Sequence, residues 1–344
     1  MKHLLFLVIV SSTLMACNRK HDYEKIFKDA NLYSYTVHEL NDVVMGNNFS
    51  PIVASRNYTY ANIAAYEVIA AGYPAKYNSL AGQLKDLKDV AKPPKGNPIN
   101  YEFAALLAFS ELGESVTFPK GSMNRYIDSI KQLARDHGMP EDMYRNSEDY
   151  AHAVSGSITA WAKKDMYLQT RSMPRYSIDM SDPGRWVPTP PAYAIAMEPN
   201  WNMIRCLVMD SCTQFMPPPP YKFNMADKNS DYYKQVMLIK NAVDSLTPEQ
   251  KHIADFWDDN PFKLNVSGHV MSSTKKFSPP GHWQSIVGIA AKKAGADFPE
   301  TVYAYAKTSI ALFDAFIECW EAKYRYKTAR PETVINKYVD ADWR

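Results

Sequence analysis

The sequence predicts an all-α protein: two helical bundles joined by an irregular segment rich in proline and aromatic residues, with the second bundle incomplete. Three observations predict it. Apolar residues recur at three- and four-residue steps over much of the chain. No two neighbouring segments read as a convincing strand pair. Periodicity disappears from about Asp165 to Phe223, where PGRWVPTPPAY, MEPNW and FMPPPPY hold too much proline for a helix or a central strand.

The elements follow in order. Ser50-Pro51 supplies an N-cap serine and a proline at the first helical position, and VASRNYTYANIAAYEVIAAGY is apolar enough for a buried helix. A second helix starts near Asn97-Pro98 and carries YEFAALLAFSEL. A third fits MNRYIDSIKQLARDHG, where Gly138 stops it and Pro140 follows. Another covers EDMYRNSEDYAHAVSGSITAWAKK. The irregular stretch comes next, and Trp186, Tyr193, Trp201 and Phe215 are expected to pin it in an ordered path. Helices resume with DYYKQVMLIKNAVDSL, then HIADFWDD behind a capping-box-like Thr247-Pro248-Glu249-Gln250. WQSIVGIAAKKAG and a long FPETVYAYAKTSIALFDAFIECWEAKYRYKTA complete the set.

The first residues, MKHLLFLVIVSSTLMAC, have the charge, the short apolar run and the small residues of an export signal. Leu14-Met15-Ala16-Cys17 resembles a bacterial lipobox, with cleavage before a cysteine that is then lipidated. An ordinary secretory signal with a chance cysteine is the alternative. The lipobox reading places the protein outside the cytoplasm, periplasm-facing or at the outer membrane, held by lipid alone. Residues 1–16 are then the signal, 17–225 the first bundle with its connecting segment, and 226–344 the start of the second.

Composition bounds the rest. With 344 residues, 46% of them hydrophobic, the chain can bury a large core. A net charge of +2 argues against a dedicated nucleic-acid binder. Beyond Cys17 the cysteines are Cys206, Cys212 and Cys319, an odd count and no disulfide framework. Cys206 and Cys212 could close a small loop or simply pack, and Cys319 is expected in the core. No Cys/His spacing resembles a zinc site.

The last long helix carries the chemistry. Val302, Ala306, Ile310, Phe313, Phe316 and Trp320 form its apolar face, and the same face continues as Lys323, Lys327 and Arg330. Arg325 has Glu321 one turn away, an ordinary surface pair. Lys323 has Cys319, Trp320, Tyr326 and Lys327 one turn away, none of them acidic. A helix-end cation gains about 0.3–1 kcal/mol from the macrodipole. A buried unpaired ammonium costs several kcal/mol, so a buried stripe here needs a distant carboxylate or a bound oxyanion. Lys323 and Arg330 lie about 10 Å apart along a helix on nearly the same face. Pro331 disfavours helix at Arg330, freeing that side chain to turn back and meet the lysine on one tetrahedral oxyanion.

Lys323, six residues, then Arg330-Pro331 resembles the first signature of the superfamily of vanadium-dependent haloperoxidases and type-2 phosphatidic-acid phosphatases. Trp320, three residues before the lysine, matches the haloperoxidase-like branch. DAFIECWEAKYRYKTARPETV, WVPTPPAY and PPGHW are similar to bacterial members of it, and the resemblance covers most of the chain after the signal. It implies helical bundles of the haloperoxidase and acid phosphatase type. It implies Lys323 and Arg330 on the equatorial oxygens of vanadate or phosphate, with vanadate as cofactor, halide and peroxide as substrates if the chemistry is haloperoxidase, and no cofactor if it is phosphatase. It also allows a homodimer.

Two further signatures of that superfamily should follow Arg330-Pro331: P-S-G-H, then S-R-x5-H-x3-D, whose histidine is the phosphatase nucleophile or the vanadium ligand. Only 13 residues follow Pro331, and none is histidine. Ser267-Gly268-His269 and Pro279-Pro280-Gly281-His282 look like pieces of the second signature in the wrong order. Ser55-Arg56 is the nearest approach to the third, with Asn62 and Tyr66 at its histidine and aspartate positions. The expectation is a truncated chain without its catalytic histidines, inactive or nearly so. A reading of a different class is a non-catalytic surface lipoprotein that binds glycans or a protein through its 23 tyrosines and its aromatic segment.

Overall fold

The computed structural model describes residues 21–190, 193–260, 263–267, 270–274 and 277–343. The expected leader, Cys17 and His269 lie outside the described residues.

Helix α1 (Tyr23–Phe27) and helix α2 (Ala30–Gly46) open the chain. Helix α3 (Pro51–Gly72) is the centre of the molecule: every residue from Ile52 to Ala70 is buried. It starts where expected, with Ser50 accepting from the amide of Val53 and Pro51 at the first helical position. Helix α4 (Tyr101–Val116) starts later than Asn97-Pro98, because Asn100 is the residue that caps it, accepting from the Phe103 amide at 2.8 Å. Helix α5 (Asn124–Asp136) ends at Gly138, whose φ of +74° only glycine adopts without strain. Helix α6 (Glu141–Ala162) and the single turn α7 (Tyr167–Thr170) complete the first layer.

A helix buried on all sides must satisfy its polar side chains within the protein. Arg56 reaches Asp165, and Thr59 donates to the carbonyls of Ser55 and Ser309. Asn62 accepts from the Tyr33 hydroxyl at 2.7 Å and donates to the Tyr58 carbonyl, Gln284 and Ser309.

The irregular stretch is ordered, though by fewer aromatics than expected. Trp201, in a short 3₁₀ turn (Trp201–Met203), is fully buried between the rings of Tyr167 and Phe313. Trp186 packs edge-on against Tyr176. Tyr193 and Phe215 are exposed, correcting the expectation that they anchor the segment. A carboxylate does that work: Asp314 accepts from the amides of Leu207, Val208 and Met209 at 2.7–2.9 Å.

Helix α8 (Asp231–Asp244) and helix α9 (Pro248–Phe256) follow, the latter with the full capping box of Thr247 and Gln250. One hairpin departs from the helical pattern and corrects the reading of no strand pair. Strand β1 (Lys263–Ser267) pairs antiparallel with β2 (Val270–Thr274), Asn265 opposite Ser272. Its sequence cue is the two-residue glycine-containing connection, which resembles a hairpin turn as much as a signature fragment.

Helix α10 (Pro279–Ala294) begins at Ser278 and therefore includes Pro279-Pro280-Gly281-His282. Helix α11 (Phe298–Tyr326) starts at a capping box of Asp297 and Glu300, and helix α12 (Pro331–Tyr338) ends the described chain. One core cluster runs from Phe27 to Trp320, because α11 lays Tyr305 against Tyr33 and Phe313 against Tyr60. A second, smaller cluster joins Tyr232 and Val236 of α8 to Ala329, Val334 and Ile335.

Candidate functional site

The end of α11 is built in steps. Trp320 is buried, and its indole N–H donates to the carbonyl of Met197 at 3.0 Å. The Tyr324 hydroxyl donates to the same carbonyl at 2.6 Å. Both side chains are thereby fixed by the irregular segment. Lys323 lies over the Trp320 ring, its Nζ 4.1 Å from the ring centre. An indole face is the strongest aromatic partner for an ammonium, so the tryptophan orients the lysine as well as packing beside it.

The helix stops three residues earlier than the apolar pattern suggests. It ends at Tyr326, and Lys327 takes a left-handed conformation (φ +51°) with its amide donating back to the Lys323 carbonyl. Residues 327–329 leave the helix because they pair with the proline-rich segment instead. The Trp186 amide donates to the Lys327 carbonyl at 2.7 Å, the Ala329 amide donates to the Gly184 carbonyl at 2.8 Å, and Arg185 faces Thr328 in an isolated antiparallel bridge. Arg330 is then extended (φ −68°, ψ 143°), as a residue before proline prefers, and forms the N-cap position of α12. The Lys323–Arg330 spacing is therefore held by a backbone strap between them.

Burial does not follow the stripe to its end. Glu321 is buried, whereas Lys323 and Arg330 are exposed, which removes the premise that burial alone demands an anion. The electrostatics remain unbalanced. Lys323 is open on one side and crowded by protein on the other. Burial pushes its pKa below that of an ordinary lysine, Cys319 acts in the opposite sense, and the Arg330 charge adds to the lowering. Among the described residues neither Lys323 nor Arg330 forms an ion pair with a carboxylate. Arg325, by contrast, contacts Glu321 at 2.6–2.7 Å, and Glu321 also accepts from Asn202. The site is thus two like charges, brought close and left uncompensated, beside a rigid aromatic wall. That donor set suits a tetrahedral oxyanion: a compact ammonium and a planar guanidinium, neither occupied by a carboxylate.

The other candidates lie elsewhere. His282 is within 2.8 Å of Asp259 and packs against Phe256 and Trp257. Arg56 is buried, donating to Asp165 at 2.7 Å and stacked over Tyr60 and Tyr167. Asn62 is enclosed by its core network, and Tyr66 donates to the Asn78 carbonyl. None of these contacts involves Lys323, Trp320 or Arg330. Cys319 is exposed rather than core, and Cys206 and Cys212 are free thiols.

The comparisons agree with this geometry. A family model described as the VCPO second helical-bundle domain matches residues 303–343, the stretch holding Trp320, Lys323 and Arg330. Comparison with curated proteins finds no match. Among solved structures, eight chains match. One is the first bacterial vanadium-dependent iodoperoxidase, with a TM-score of 0.82 and 40% sequence identity, covering 90% of this chain and 72% of that one. An identity of that level over nearly the whole helical framework, with the family model falling on the cationic end of α11, places this chain in the vanadium haloperoxidase superfamily.

Proposed function

We propose that Lys323 and Arg330 bind vanadate, as part of the cofactor pocket of a haloperoxidase-type enzyme. The observation that carries this is the uncompensated pair of cations fixed on either side of the Gly184–Trp186 strap. Lys323 would supply a point charge, Arg330 two parallel donors, and Trp320 the wall that holds the lysine in place. Bound vanadate would supply the activation of peroxide that oxidises a halide. Iodide is the first halide to test, since the similar solved structure is an iodoperoxidase.

Phosphate has the same tetrahedral oxyanion geometry, so the same clamp serves a phosphatase, and the two chemistries are separated by assay. The Cys17 lipobox reading remains a proposal too; Cys17→Ser should release the protein into the soluble fraction.

The decisive experiment is thermal unfolding with and without vanadate or phosphate. A ligand at one hundred times its Kd stabilises by about 2.7 kcal/mol. Lys323→Met should remove most of that protection, and an unchanged shift would reduce Lys323 to a helix-end charge. Parallel assays with vanadate, peroxide and iodide, and with a phosphomonoester, then test the chemistry.

A further inference from the structure

On the same helix, sixteen residues before Lys323 and so about 24 Å from it, the surface holds a second concave site. It is a pocket of about 210 Å³ between α11 and the chain that follows α3. Three tyrosines wall it. The ring centres of Tyr66, Tyr77 and Tyr303 are 5.7–6.3 Å apart in every pairing. The Tyr66 hydroxyl donates to the Asn78 carbonyl at 2.9 Å, which fixes the deepest ring. Lys76 and Lys307 stand at the rim with Asn78.

The cations at this rim are only weakly engaged by the protein. Lys307 rests 5.7 Å from the Tyr303 ring centre and has no carboxylate partner among the described residues. Lys76 reaches only Asp297, at 3.9 Å with both side chains mostly exposed, a pairing of little energetic weight. The carboxylates behind the wall are engaged. Glu67 accepts from the Ser79 hydroxyl and the Leu80 amide, and Asp297 and Glu300 cap each other's backbone.

We propose that this pocket binds a carboxylated sugar ring, a uronic acid residue. The tyrosine faces offer the flat apolar surface on which the C–H face of a pyranose rests. Asn78 offers donor and acceptor for ring hydroxyls, and the two lysines meet the carboxylate. An aryl acid would use the rings and lysines but leave the amide unpaired. A neutral sugar would use the rings and amide but forgo the charge-assisted bonds. An organic cation, the usual guest of an aromatic cage, is opposed by both lysines.

The test is saturation-transfer NMR and a calorimetric titration of the 344-residue chain with glucuronate, glucose and benzoate. Glucuronate should bind, with glucose about tenfold weaker or more, the worth of one charge-assisted hydrogen bond, and benzoate several-fold weaker, the worth of a neutral one. Lys307→Gln, at an exposed position, should weaken glucuronate about tenfold, and Tyr303→Ala should abolish it with helical content retained. Lys323→Met should leave glucuronate binding intact, which separates this site from the oxyanion clamp. No saturation transfer to glucuronate, equal affinity for glucose or benzoate, or indifference to Lys307→Gln would each overturn the proposal.

Discussion

The backbone amide of Trp186 donates to the carbonyl of Lys327 at 2.7 Å, and this bond lies between the two cations of the clamp. It ties the proline-rich segment to the three residues that carry the chain from the end of α11 to Arg330. The neighbouring Gly184 cannot carry a side chain, since a Cβ there would lie 2.8 Å from the Phe223 Cβ. Gly184→Val should therefore displace the strap at a cost of about 1–3 kcal/mol, the usual range for overpacking. Vanadate affinity should fall several-fold while helical content stays constant, as titration calorimetry and circular dichroism would register.

The lowered pKa of Lys323 gives the clamp a pH dependence with a definite sign. Anion binding needs the ammonium, so affinity for sulfate, whose charge is constant here, should fall as pH rises through that lowered pKa. The fall should come before the ordinary lysine value of about 10.4. Stability of the free protein behaves oppositely. Between the folded pKa and the unfolded one, the unfolded chain holds more protons, so this group's contribution to stability rises with pH. Lys323→Arg should remove the alkaline loss of sulfate binding, measured by calorimetry across the same range.

Arg56 and Asp165 are both buried, and Asp165 also accepts from the Tyr60 hydroxyl and the Tyr167 amide. Removing one charge strands the other. Asp165→Asn should cost about 3–5 kcal/mol in chemical denaturation. Replacing both residues with apolar ones should cost less than the sum of the single changes, the sign of a coupled pair.

His282 and Asp259 join α10 to the end of α9. His282→Gln should leave vanadate protection unchanged, because the contacts of His282 are to Asp259, Phe256 and Trp257 and none is to Lys323, Trp320 or Arg330. A loss of protection would restore this histidine to the oxyanion site.

Much of the fold is legible in the sequence because its helix boundaries are chemical. Ser50-Pro51, Gly138 and the Thr247–Gln250 box each satisfy or end a row of backbone groups locally. Boundaries set by distant partners are not legible. Nothing in YRYKTARP announces that residues 327–329 leave the helix to pair with Gly184 and Trp186, because that pairing uses only backbone atoms. The cation pair was visible through its missing acidic neighbours, whereas its exposure depends on where the core ends. Asp314 shows the same limit. On a helical wheel it is an ordinary acid, and only the tertiary fold brings three amides to it.

The unbroken core from Phe27 to Trp320 also bears on how the molecule melts. Helix α3 touches α4, α6 and α11, so losing any one of them opens the others' contacts. Most of the bundle should then unfold in one cooperative transition. An anion held by Lys323, one turn past the last core tryptophan, would raise the melting temperature of the whole bundle rather than of its own corner.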